Sequence, residues 1–124
     1  MATNLVETLE VKSHDAPDEK RRPDKTEVDL VTVGDYTIGR FTFAPGWRWS
    51  ECIKPVVKTD SCQSNHVGFC VSGALEVETA DGARVTIHGG DSYTIPPNHD
   101  AWVVGDHPFV GVEFLSAASY AKPS

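Results

Sequence analysis

The chain has 124 residues, 40% hydrophobic and 23% charged, with a formal net charge of −7 and a pI near 5.1. That length sets one domain around a single core. The acidic balance argues against nucleic acid and anionic membranes as partners, because both need basic patches. No apolar run approaches the ~20 residues of a membrane helix, and residues 1–7 lack the basic start and apolar block of a signal peptide. The expected compartment is therefore the cytoplasm. Cys52, Cys62 and Cys70, odd in number, are expected to be free thiols rather than a disulfide framework.

Residues 1–26 are polar and charged, and apolar residues are too sparse there to bury much surface. They predict an N-terminal arm with little regular structure, in which 3–11 can form a short helix or an added edge strand. His14 belongs to this tail. From Glu27 the pattern changes to short strands: 27–33 and 36–43, separated by the hairpin signal Gly34-Asp35. In the second, Gly39, Phe41 and Phe43 share one face. Residues 47–53 predict a third strand, with Trp47 and Trp49 on one face and Arg48, Ser50 and Cys52 on the other. A loop over 54–64 leads to strands at 65–71 and 74–79, joined at Ser72-Gly73. Asp81-Gly82 is a second hairpin signal before 84–88. Strands at 92–95, 100–104 and 109–115 complete a body spanning 27–116, and 117–124 form a small tail. About nine short strands with turns every 8–12 residues, and no long amphipathic helix, predict an all-β sandwich or barrel.

The chemistry concentrates in two stretches. In 65–71, His66, Gly68 and Cys70 share a face opposite Val67, Phe69 and Val71. Cys62 precedes His66 by four residues, and Cys52 or Glu51 can reach the same end if 47–53 pairs beside this strand. His99 follows the Pro96-Pro97 turn. Cys52, Cys62, His66 and His99 form a ligand set suited to zinc, nickel or iron. Each also has a plainer role. Buried cysteines commonly fill space, and Cys70 between Phe69 and Val71 fits the core. A lone His66 fits a hydrogen-bonded core histidine, and His99 a turn residue. Asp100 can orient His99 or face solvent. Trp47, Trp49 and Trp102 suit core packing or an aromatic pocket mouth; Trp49, Glu51, Cys70 and Trp102 are the expected pocket lining.

Gly90-Asp91 through Ile95-Pro96-Pro97-Asn98-His99 resembles the second sequence motif of the cupin superfamily. Asn98 stands where a glycine is usual, and Asn tolerates the same positive φ. The first motif is rewritten: His66 occupies the seat of the usual glutamate, and Cys62 lies near the seat of a histidine. Pro45-Gly46-Trp47-Arg48-Trp49-Ser50 and His99-Asp100-Ala101-Trp102 are similar to a subgroup of small bacterial cupin-domain proteins. The resemblance implies a cupin jelly-roll β-barrel, makes Cys62, His66 and His99 the first-choice ligands of a divalent metal, and implies a homodimer. It implies no substrate, since one fold hosts many activities. Two functional expectations follow. One is a small-molecule-processing cupin with one metal acting as a Lewis acid. The other is a ligand-binding or sensory module with little or no metal. A redox thiol pair at Cys52 and Cys62 is a third.

Overall fold

The computed structural model describes residues 6–115 and 120–122. Among the described residues, nine strands form two sheets: β1 (Glu19–Arg21), β2 (Thr26–Val33), β3 (Tyr36–Phe43), β4 (His66–Ser72), β5 (Ala74–Thr79), β6 (Arg84–His88), β7 (Ser92–Ile95), β8 (His99–Val103) and β9 (Phe109–Glu113). The larger sheet runs β1-β2-β3-β9-β4-β7 and the smaller β6-β5-β8. All the strand pairings are antiparallel. The expected all-β fold is the one observed.

The core lies between the sheets, and its residues follow from strand alternation. On β4, His66, Gly68 and Cys70 point inward, while Val67, Phe69 and Val71 remain exposed. On β3, Gly39, Phe41 and Phe43 are inward. Phe43 stacks on Trp47 at 3.9 Å between ring centroids. The Trp47 Nε1–H donates to Thr26 Oγ1 at 2.9 Å, so the indole's polar handle is satisfied inside the core.

The predicted strand at 47–53 is corrected. Arg48 makes an isolated bridge to Trp102, and the chain then coils into two helical turns, α1 (Trp49–Cys52) and α2 (Lys54–Val57). Pro55 sits in the first turn of α2, where its missing N–H costs nothing. The change of period decides which side chains go inside. A helix puts residues i and i+3 on one face, so Trp49 and Cys52 are both buried while Glu51 is exposed.

The predicted arm is also more engaged than its composition implied. Residues 6–11 carry no regular structure, but β1 adds an edge strand to β2. His14 Nε2 lies 3.1 Å from the Ile38 carbonyl, and Asp18 accepts from the Thr32 N–H at 2.8 Å. The buried Asp29 is paired with Arg22 at 2.6 Å and Arg40 at 3.5 Å. A buried carboxylate needs such partners, and the arm supplies one of them. At the other terminus, Tyr120 and Ala121 are buried against the barrel, not loose in a tail. Residues 1–5, 116–119, 123 and 124 lie outside the described residues.

Candidate metal centre

Three elements deliver three candidate ligands. His66 opens β4 in the large sheet and His99 opens β8 in the small one. Cys62 comes from the loop before β4 and is fastened to His99 by backbone hydrogen bonds. The Cys62 N–H donates to the His99 carbonyl at 2.8 Å, and the Asn98 N–H donates to the Cys62 carbonyl at 2.7 Å. That second bond depends on the turn at Asn98, which holds a φ of 67°. Asparagine adopts this conformation at small cost, as the sequence comparison with glycine implied.

The ligand atoms of Cys62, His66 and His99 lie within 4.8 Å of one another, and all three residues are buried. Cys62 Sγ is 3.7 Å from His66 Nε2. Thiolate and imidazole bound to one tetrahedral zinc sit about 3.5 Å apart at ordinary bond lengths, so the pair is spaced for a shared ion. Each histidine is oriented by an acceptor on its far nitrogen. His66 Nδ1 donates to Glu113 Oε1 at 2.6 Å, and His99 Nδ1 donates to the Pro96 carbonyl at 2.6 Å. Both histidines thereby turn Nε2 toward the centre, the arrangement that commonly supports metal-ligating histidines. The donor set fits a borderline-soft divalent ion such as zinc, with three protein ligands and a fourth position left for another group.

Glu113 is the residue that sequence reasoning missed. It sits on β9, 3% exposed, between His66 and Tyr93, whose hydroxyl donates to Oε2 at 2.5 Å. No motif marks it. The only sequence signal was a carboxylate on an inward-facing strand position, where charge is not left without partners. Tyr120 was missed as well. Its ring stands edge-on to His66 at 5.5 Å.

The electrostatics of the metal-free centre couple Cys62 to His66. Burial pushes the Cys62 thiol up. Hydrogen bonds from His66 and His99, with the histidines' positive charge, outweigh burial together and bring it down to about 6. Burial pushes His66 down, while its bonds to Cys62 and Glu113 and their negative charges raise it to about 9. At neutral pH the pair is therefore a thiolate beside an imidazolium. Burial first, then the charges on Cys62 and Glu113, hold the Tyr120 phenol well above its ordinary value.

Most of the other expected site residues go elsewhere. Cys52 is not part of the converging group; its helical turn aims the thiol at Asp24, 3.9 Å away. Glu51 is exposed for the same reason. Cys70 is fully buried but turns toward the Ser72 and Gly73 carbonyls, away from the cavity. Trp102 lies on the outer face of β8 with Arg48 stacked on its ring at 4.4 Å. Asp100 pairs with Arg48 at 3.1 Å and does not orient His99. Trp49 does line the cavity, with Phe41, Phe43, Trp47, His66 and Tyr120 among its neighbours. All three cysteines are free and buried.

No family model and no curated protein matches the sequence. Solved structures do match the fold. A protein of unknown function from Rhizobium leguminosarum is 20% identical, with a TM-score of 0.63 over 88% of this chain and 98% of that one. An uncharacterised conserved protein from Klebsiella pneumoniae with a double-stranded β-helix domain is 16% identical, with a TM-score of 0.59 over 89% and 86%. A cupin-like protein from Thermotoga maritima is 16% identical, with a TM-score of 0.51 over 73% and 67%. Identities this low speak for fold and not for activity. The chain has the fold of these small cupin-like proteins, and that fold brings Cys62, His66 and His99 together between its two sheets.

Proposed function

We propose that the protein is a metal-dependent cupin that processes a small molecule, with one divalent ion held by Cys62, His66 and His99. The observation that carries this reading is the support behind the ligands. Both histidines are buried, and both have the far nitrogen tied to an acceptor, so each presents Nε2 to the same point. When bound, the ion supplies Lewis acidity in a water-poor cavity. The chain's own residues do the rest. Glu113 holds His66 in one tautomer and balances its charge. Tyr93 fixes the second Glu113 oxygen. The aromatic wall of Phe41, Phe43 and Trp49 keeps water out and offers flat apolar surface to a ligand.

A second reading has its own support. The inner cavity measures only about 20 Å³, enough for about one water-sized occupant. A centre so closed to substrate in this conformation weighs against turnover and leaves room for the reading of a non-catalytic, sensory module with little or no metal. Elemental analysis of protein purified without chelator separates the readings. The metal-dependent reading expects about one equivalent of divalent metal in the wild type, and less than about a tenth in both Cys62→Ser and His66→Ala. Metal below a tenth of an equivalent in the wild type would leave only the second reading.

A further inference from the structure

Six side chains with polar atoms line the inner cavity: Trp47, Trp49, His66, His99, Glu113 and Tyr120. Four of them are engaged within the protein. The Trp47 indole donates to Thr26 at 2.9 Å, and His66 and His99 direct Nδ1 to Glu113 and to the Pro96 carbonyl. Glu113 accepts from His66 on one oxygen and from Tyr93 on the other. The Trp49 indole N–H and the Tyr120 hydroxyl differ from these. Neither finds an acceptor among the described residues, although Trp49 is only 2% exposed and Tyr120 only 4%. A buried donor without an acceptor is costly, and folded proteins rarely leave one. Two in the wall of one small cavity call for a ligand.

Both donors abut open space, because every fully enclosed side-chain nitrogen or oxygen among the described residues has a partner. The space they share is the inner cavity, about 20 Å³ beside His66 and His99. The Tyr120 ring stands 5.5 Å from His66. Burial first, then the charges of Cys62 and Glu113, push its phenol up, in keeping with a protonated hydroxyl on the side of the centre. An occupant of so small a polar site needs two to four polar partners. Here the wall offers two donors, and both oxygens of its one carboxylate are already engaged. The occupant that fits is therefore an acceptor.

We propose that the Trp49 indole N–H and the Tyr120 hydroxyl are the recognition donors of the centre, and that together they bind an anionic oxygen in the inner cavity. Hydrogen bonds to a charged acceptor are about twice as strong as neutral ones, so the pair selects an oxyanion over an apolar or sulfur ligand. The proposal rests on the metal-dependent reading, since the ion supplies the positive charge that an oxyanion needs beside Cys62 and Glu113.

The test uses zinc-loaded full-length protein with isotope-labelled tryptophan, whose three residues give three indole N–H signals by NMR. The Trp49 signal is assigned from its loss in Trp49→Phe. Fluoride is the probe, because it is a water-sized anion and a strong acceptor. It is expected to move the Trp49 signal downfield and to leave Trp47, already bonded to Thr26, in place. Tyr120→Phe removes one oxygen and is expected to weaken fluoride binding at least about tenfold, the worth of one hydrogen bond to a charged group, with zinc affinity unchanged. A Trp49 signal that fluoride leaves in place, or wild-type fluoride affinity in Tyr120→Phe, overturns the proposal. So does loss of zinc affinity in Tyr120→Phe, because the phenol would then be a ligand itself. If that variant does not fold, the wild-type Trp49 signal still decides. Wild-type protein that takes up no zinc sinks the metal-dependent reading and this proposal with it. Zinc bound with the Trp49 signal unmoved overturns this proposal alone.

Discussion

Glu113 does more for the centre than its silence in the sequence suggests. It is the acceptor that directs His66 Nε2 toward Cys62 and His99, and carboxylate support of a metal-ligating histidine is worth about 10–100-fold in metal affinity. Glu113→Gln keeps the shape and loses the charge. We expect it to weaken metal binding by about that factor with the fold retained, measured by competition with a chromogenic chelator. Wild-type affinity in the variant would show that Glu113 is only packing. The metal-free pair makes a second prediction. A raised His66 contributes stability that is present at low pH and lost as pH climbs through about 9. A depressed Cys62 contributes stability that is present at high pH and lost as pH falls through about 6. Between those values the folded pair holds one proton. The unfolded pair also holds one there, on the thiol, once the unfolded histidine has titrated at about 6.5. The linkage slope is then zero. Thermal stability should be flat from about pH 7 to about pH 8, below the unfolded thiol's titration, while thiolate absorbance due to Cys62 persists down to a midpoint near 6. A midpoint near the ordinary thiol value, about 8.5, would contradict the ion pair.

At the scale of elements, the site depends on how three strands make room for Tyr93. The ring reaches from β7 across β4 toward β9, and two glycines clear its path. A Cβ on Gly68 would lie 2.7 Å from the Tyr93 hydroxyl oxygen and 2.7 Å from the Val112 carbonyl. A Cβ on Gly111 would lie 2.9 Å from the same hydroxyl. Gly68→Ala is therefore expected to destabilise the protein by about 1–3 kcal/mol, the usual cost of overpacking, read as a shift in the urea midpoint. A neutral effect would mean that Tyr93 has other room. The strands themselves were legible. Alternation placed His66 and Cys70 on one face of β4, and the glycine and proline turns marked most boundaries. The 47–57 segment was not legible, because Trp-x-Trp also suits a strand. Only the bridge of Arg48 to Trp102, and the burial of Trp49 with Cys52, choose a helical turn. That choice removed Cys52 and Glu51 from the site.

For the molecule as a whole, the sequence carried the fold and the ligands of the centre, but not what supports or encloses them. Cys62, His66 and His99 could be named because they fall at fixed offsets from turns. Glu113 and Tyr120 could not, because they arrive by tertiary contact from strands or turns far away in sequence. Among the described residues, no helix is long and apolar enough to cross a membrane. The central claim is that one thiolate and two imidazoles share an ion. Cobalt(II) substitution tests it most directly, because a thiolate ligand produces a charge-transfer band and a four-coordinate site intense visible bands. We expect about one equivalent of cobalt(II) to bring up both, with the charge-transfer band lost in Cys62→Ser. A spectrum without the thiolate band, or one unchanged in Cys62→Ser, would contradict the account.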